Sequence, residues 1–467
     1  METAALLLAF TTFVCAQTSP QDAASFPHGV VIPEVHCAAK PDQSYALYIP
    51  SKYSADHLWP VIFAFDPGAR GRVPVELLRV AAEKYGFIVA GSNNSRNGPF
   101  ERSIEAADAM MQDISHRFAL DLRRLYTTGF SGGSRVAVMV AQICNGCVAG
   151  VFANGAGFPE SRAPVEKVSF AYFAAVGDLD FNYYELVELE SKLDALGVPN
   201  RLRKFSGPHQ WAPPEVALEA VEWFELMAMK QGRREKDSAF IAQLAERAAQ
   251  KVDSLEKSGD LYAVWQEDRK LALEFEGLAD ASAFARRAAE LRDSPAIREG
   301  ARRERVVIEE QRRAVEPIAA ALDALLADSL ERSRRRADLV SKITVLRDDV
   351  QRNAASEKGK ALRRAQSELF AHAFEGAQEK LRTRDFSAAV LLGEIAAELA
   401  PESPSPYLLM ARAHAQSGKK KETLRALEQA LAKGFPRETL AAFLASNPEF
   451  APYQALPEFQ GLYKPAR

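Results

Sequence analysis

"RLYTTGFSGGSRVAVMVAQ" (residues 124–142) passes from a β-branched and aromatic run, through Gly129-Phe130-Ser131-Gly132-Gly133, into apolar residues at helical spacing. That order puts Ser131 on a sharp strand-to-helix turn, with its hydroxyl exposed at a sheet edge. Gly129 and Gly133 supply the space such a turn needs, and Ala or Val at either position would crowd it. Ser131 is therefore a candidate nucleophile. Acyl transfer by a serine also needs a base for its proton, a carboxylate to orient that base, and N–H donors for the oxyanion.

Outward from this turn, residues 40–230 alternate short apolar runs with helical patterns. "SYALYIP" (44–50), "PVIFAFDPG" (60–68) and "FIVAGS" (87–92) read as strands, with the helix "PVELLRVAAEKYG" (74–86) between the last two. Downstream, "VAGVFANGAG" (148–157), "VSFAYFAAVGD" (168–178) and "NRLRKFSG" (200–207) alternate with helices, and "PEVALEAVEWFELMAMK" (214–230) closes the series. Near-continuous apolar strands are those of a sheet buried on both faces. The expected class is α/β, a mostly parallel sheet covered by helices.

In the chain order that goes with a serine on a strand-to-helix turn of this kind, the acid and then the histidine follow the serine, and parallel strands bring the loops at their C-terminal ends to one edge. Of seven histidines, four (His28, His36, His57, His116) precede the serine, and His372 and His414 lie in a helical region. Only His209, in "FSGPHQWAPPE", follows Ser131 within the α/β region and after a strand. The carboxylate should end the strand before it, where "FAAVGDLDFNYYE" offers Asp178 and Asp180. One oxyanion donor is expected from the Gly132 N–H. The other is expected from the loop "DPGARG" (66–71), where Pro67 has no N–H and Gly68 or Ala69 must serve. On the same edge, Asn93, Asn94 and Arg96 in "SNNSRNGP" (92–99) are expected to contact substrate or to fix neighbouring loops.

From residue 237 onward no strand pattern appears; residues 237–367 read as long helices, and 368–467 as helical repeats. "RDFSAAVLLGEIAAELAP" (384–401) and "GKKKETLRALEQALAKGF" (418–435) superpose at a shift of 34 residues, pairing Val390 with Leu424, Glu394 with Glu428, Ala396 with Ala430 and Ala377 with Ala411. A 34-residue period with small residues where helices cross is the tetratricopeptide signature.

The remaining features bound the setting. The apolar run Ala4–Val14 before Val14-Cys15-Ala16 reads as a signal peptide (residues 1–16), too short to span a bilayer, and predicts a secreted or periplasmic protein. No later segment is apolar enough for a transmembrane span. A net charge of −3 gives no basis for nucleic acid or an anionic membrane as partner. Cys144-Asn145-Gly146-Cys147 allows a local disulfide or two thiols in a helix-end turn. With no second cysteine pair, no metal is expected, and the serine chemistry requires no cofactor.

"GFSGGSRVA", "GDLDFNYYELV" and "FSGPHQW" together resemble the α/β-hydrolases of the polyhydroxybutyrate depolymerase and feruloyl esterase group, over residues 40–230. The resemblance implies a serine esterase with Ser131, Asp180 and His209 as its triad, because the family's acid stands three residues after the glycine that closes its strand, here Gly177. Relatives commonly carry His-Gly where this chain has Asp66-Pro67-Gly68. The expected substrate is a small or polymeric ester, and the repeats resemble tetratricopeptide domains that bind a protein or peptide. Rival expectations are a catalytically inactive hydrolase-fold scaffold that binds proteins, and a serine peptidase.

Overall fold

A computed structural model describes residues 26–327 and 332–463; the expected signal peptide lies outside the described residues. Contacts divide the chain into two compact units, Met1–Arg303 and Glu304–Arg467.

The first unit is built on eight strands: β1 (Val31–His36), β2 (Ser44–Tyr48), β3 (Trp59–Phe65), β4 (Ile88–Ser92), β5 (Leu120–Phe130), β6 (Val148–Asn154), β7 (Ala171–Gly177) and β8 (Asn200–Phe205). They form one sheet in the order β1-β2-β4-β3-β5-β6-β7-β8. β2 runs antiparallel to both neighbours, and β3 to β8 are parallel throughout. This order and these directions are those of the α/β-hydrolase fold. Every residue of β2, β4, β6 and β7 is buried, the reason those strands appear as apolar runs. β1 was not anticipated. Pro33 and Glu34 break its apolar pattern, and as an edge strand it buries little.

Between the strands run α1 (Arg72–Tyr85), α2 (Phe100–Arg117), α3 (Gly132–Ile143), α4 (Tyr183–Ala195) and α5 (Pro214–Lys230). α1 and α5 pack over one face of the sheet, where Tyr126 stacks on Phe224 at 4.6 Å between centroids. Gly150 makes room for that ring, because a Cβ there would stand 2.7 Å from Phe224 Cε1. Burying one such phenylalanine stabilises the fold by about 1.5–3 kcal/mol.

Three further helices, α6 (Ser238–Lys257), α7 (Leu261–Phe275) and α8 (Ser282–Leu291), belong to this same unit. Ile241, Val252, Leu271, Phe275 and Phe284 join the core formed by α1, α5 and the sheet face. Beneath them, buried Arg201 on β8 pairs with Glu267 and Glu274 of α7, and Arg203 with Glu219 and Glu267. Burial works against ionisation of Glu267, but Arg201, Arg203 and Lys251 outweigh it and hold the carboxyl far below the usual range. A cavity of about 410 Å³ lies among β8, α5, α6 and α7, lined partly by these ion pairs. The Cys144 and Cys147 sulfurs are bonded at the end of α3, while Cys37 is a buried free thiol that burial and the nearby Asp113 push up to about 12.

Helix α9 (Pro295–Ala327) runs on into the second unit, followed by α10 (Arg332–Arg352), α11 (Glu357–Arg382), α12 (Phe386–Leu399), α13 (Ser405–Gln416), α14 (Lys420–Ala432), α15 (Arg437–Ser446) and α16 (Pro457–Gln460). α11 packs on α12 and α13 on α14. Ala377, Ala396, Ala411 and Ala430, the small residues aligned by the 34-residue shift, are all buried at those contacts. No helix among the described residues is long and apolar enough to cross a membrane.

Candidate active site

Ser131 follows β5 directly and occupies the position before α3 with φ 53° and ψ −123°, a left-handed backbone that non-glycine residues avoid. The surroundings impose it. A Cβ on Gly129 would fall 2.1 Å from the Gly133 carbonyl oxygen, and one on Gly133 would fall 2.1 Å from that of Phe65. The strand end and the helix start are thus in backbone contact, possible only with glycine at both positions. The Ser131 N–H donates to the Asn154 carbonyl (2.9 Å), tying the turn to the end of β6. Such strain, of order 1–3 kcal/mol, persists only where the neighbouring structure over-determines it.

Asp180 follows β7, and its Oδ1 lies 2.9 Å from His209 Nδ1. The carboxylate is fully buried, and Oδ1 also accepts the Asn182 N–H at 2.9 Å. Asp180 Oδ2 is buried without a hydrogen-bond donor. Asp178 is engaged elsewhere, since its Oδ1 accepts the Gly207 N–H at 3.0 Å and closes the turn after β8. The His209 ring is held between Phe130 and Phe181, at centroid distances of 4.5 and 4.2 Å. Phe130 immediately precedes Ser131, so the imidazole stands beside the nucleophile turn. Among the described residues, no hydrogen bond joins Ser131 Oγ to that ring. Such bonds are often long before substrate binds.

The loop after β3 differs from expectation. The Gly68 N–H donates to Asp66 Oδ1 (2.9 Å), and the Ala69 N–H to the Asp66 carbonyl (3.1 Å). Neither is free for an oxyanion, which corrects the reading of Gly68 and Ala69 as its donors. Asp66 is completely buried and also accepts from Arg70 Nε (2.8 Å), Arg70 Nη2 (3.0 Å) and Trp211 Nε1 (2.9 Å). Burial alone would raise this carboxyl, but hydrogen bonds from Arg70, Trp211 and the Gly68 N–H hold it below its usual range. Trp211 comes from the histidine loop, so Asp66 fastens the β3 loop to it. The Gly132 N–H, at the first position of α3, has no intrahelical acceptor.

The Asn93 and Asn94 side chains are engaged with the chain around β1 and β2. Asn93 Nδ2 donates to the Pro33 carbonyl and to Ser44 Oγ, while Asn94 accepts the Ser44 N–H and donates to the Asp42 carbonyl. Both fix the loop to the β1–β2 hairpin, the loop-fixing role of the two expected for them, rather than a substrate contact. The Arg96 backbone bridges to Gly68 and its side chain is exposed.

Several positioning residues were not singled out in the sequence. Asn154 Nδ2 donates to the Gly129 carbonyl (3.1 Å), and its Oδ1 accepts from the Ala212 N–H (3.4 Å), joining nucleophile turn and histidine loop. Gly155, with φ 62°, covers the Asp180–His209 pair. Arg135 on α3 forms a two-pronged ion pair with Glu185 on α4 (both contacts 2.9 Å), and Glu185 also accepts the Gly157 N–H (2.8 Å). The apolar strand ending in Asn154-Gly155 was the one local signal. Asn97 also lies at the turn, against Gly132. Among the described residues, no group of three or more His, Cys, Asp or Glu side chains is arranged to hold a metal ion.

No protein-family model matches this chain, and no curated protein matches it. Solved structures do resemble it in part. An S-formylglutathione hydrolase from Staphylococcus aureus is 13% identical, with 43% of this chain and 98% of that one covered, at a TM-score of 0.35. An inhibited esterase B from Lactobacillus rhamnosis is 16% identical, with 49% and 95% covered and a TM-score of 0.36. A Pyrobaculum calidifontis esterase is 14% identical, with 48% and 90% covered and a TM-score of 0.34. At these levels the α/β-hydrolase fold of residues 31–230 rests on its own strand order and directions.

Proposed function

We propose that this protein is a serine hydrolase of carboxylic esters. Ser131 is the nucleophile, His209 the base and Asp180 the residue that orients the imidazole. The observation that carries the reading is the buried Asp180 carboxylate on His209 Nδ1 at 2.9 Å, beside the strained Ser131 turn. With Nδ1–H donated to Asp180, Nε2 is left as the acceptor for the serine proton. Ser131 Oγ bonds to the ester carbon, the alcohol leaves with the proton held by His209, and water then cleaves the acyl-enzyme by the same route.

The reading includes export, supported by the apolar N-terminal segment and by the Cys144–Cys147 disulfide, a bond suited to an oxidising compartment. It also gives the second unit a tetratricopeptide-like role in binding a protein or peptide, supported by its paired helices and the buried alanines at a 34-residue spacing. One observation favours a second reading, a silent hydrolase-fold scaffold: the Gly68 and Ala69 N–H groups are already consumed.

Treatment of the full chain with a fluorophosphonate probe, read by mass spectrometry, separates the two. The hydrolase reading expects phosphonylation at Ser131 that disappears in Ser131→Ala and His209→Ala. A folded protein that stays unlabelled overturns it in favour of the scaffold.

A further inference from the structure

Serine acyl transfer draws most of its rate from donors held ready for the oxyanion, ordinarily two. The Gly132 N–H is one, and in the β3 loop the Gly68 and Ala69 N–H groups already donate to Asp66. Withdrawing the Gly68 N–H from Asp66 would expose a buried carboxylate that Arg70 and Trp211 already share. Leaving such a group short of a partner is costly.

The loop lying on top of the β3 loop supplies a replacement. The Asn97 N–H donates to the Pro67 carbonyl (2.9 Å), and the neighbouring Arg96 bridges to Gly68. The Asn97 side chain is thereby brought against residue 132. A Cβ on Gly132 would stand 1.9 Å from Asn97 Oδ1, 3.0 Å from Cγ and 3.6 Å from Nδ2. Only glycine at 132 lets the carboxamide come so close to the start of α3. The three asparagines of this loop differ in what their amides do. Those of Asn93 and Asn94 are spent on the β1–β2 hairpin, whereas the Asn97 amide has no hydrogen-bond partner among the described residues.

We propose that Asn97 Nδ2–H is the second oxyanion donor, acting beside the Gly132 N–H. A half-turn about the Cβ–Cγ bond exchanges Oδ1 for Nδ2 on the side facing residue 132. When Ser131 Oγ bonds to the carbonyl carbon, the π pair moves onto the carbonyl oxygen and the serine proton passes to His209. The new oxyanion then accepts from Gly132 N–H and Asn97 Nδ2–H. When it collapses, the C=O bond re-forms and the alkoxide departs with the His209 proton. Asn97 takes over what the β3 loop gave up in locking Asp66 to Arg70 and Trp211.

This assignment rests on the serine hydrolase reading, and the experiment separates the two. Steady-state hydrolysis of p-nitrophenyl butyrate is measured for the full chain, Asn97→Ala and the near-isosteric Asn97→Asp, with melting temperatures recorded alongside. Asn97→Ala is expected to lower kcat by about 10²–10³-fold with KM changed less than about threefold. Asn97→Asp, which places a carboxylate at the oxyanion, should fall at least as far, and it carries the test should the alanine variant fail to fold. If the wild-type chain is active and either folded variant keeps more than a third of its kcat, the Asn97 assignment is overturned while the hydrolase stands. A rise in kcat on removing the amide overturns it too. A wild-type chain that neither turns over ester nor labels at Ser131 removes the parent reading and this one together.

Discussion

Gly155 offers the most discriminating test of the Asp180–His209 arrangement. A Cβ at this position would meet Asp180 Oδ2 at 2.8 Å, Phe130 Cε2 at 3.0 Å and His209 Cε1 at 3.2 Å. Ordinary contact begins near 3.4 Å, so Gly155→Ala must drive the carboxylate back by about 0.6 Å and the ring by about 0.2 Å. A misplacement of about 1 Å can cost 10²-fold in rate, which scales to a loss of roughly 10–20-fold in kcat here. The φ of 62° adds a backbone penalty of about 1–2 kcal/mol to folding stability. Gly197→Ala controls for that second effect. Gly197 has φ 63° and nothing within 4 Å of an added Cβ, so it should incur the same backbone penalty with kcat unchanged. Both variants would be assayed for ester hydrolysis and for thermal unfolding. If Gly155→Ala folds and retains kcat within twofold of wild type, the Asp180–His209 contact is not what sets the rate, and the assigned role of Asp180 falls with it.

Two further outcomes are expected. Asp180→Asn should lower kcat by about 10⁴-fold, because an amide cannot balance the imidazolium, whereas Asp178→Asn keeps an acceptor for the Gly207 N–H and should change kcat by less than about fivefold. Equal losses in the two variants would reverse the assignment of the acid. The second concerns Glu267, whose folded pKa is depressed below its ordinary 4.5, so the stability it contributes is complete above that value and drains away as pH falls below it. Glu267→Gln, which leaves Arg201 and Arg203 short of a buried partner, should cost about 3–5 kcal/mol at pH 7. The wild-type and variant melting temperatures should then draw together as pH falls below about 4.5, the stability gap shrinking by about 1.4 kcal/mol per pH unit and still open at pH 3; parallel curves would rule out this ion pair as the source.

How far the sequence could be read depended on the range of the interaction. The strands β2, β4, β6 and β7 were legible because a sheet buried on both faces demands unbroken apolar runs, and α5 was read with the bounds the structure has. β1 escaped because an edge strand imposes no such demand. The helices after residue 237 were visible as helices. That α6, α7 and α8 share the core of the first unit was not, because the Arg201–Glu267 and Arg201–Glu274 pairs join residues far apart in the chain.

The same division runs through the site. Chain order and residue type by themselves determined the turn at Ser131, the candidacy of His209, and the pair Asp178 and Asp180. Those follow from local sterics and from the rule that parallel strands gather their loops on one edge. Residue type and chain order left the choice of carboxylate open until the family resemblance favoured Asp180, whose Oδ1 lies 2.9 Å from His209 Nδ1; which N–H groups are engaged was decided by tertiary structure alone. Asp178 is taken by Gly207, the Gly68 N–H by Asp66, and the Asp66 carboxylate by Trp211, 145 residues away. A polar atom is available for chemistry only after the fold has met the demands of its neighbours, and in this chain those neighbours come from distant loops.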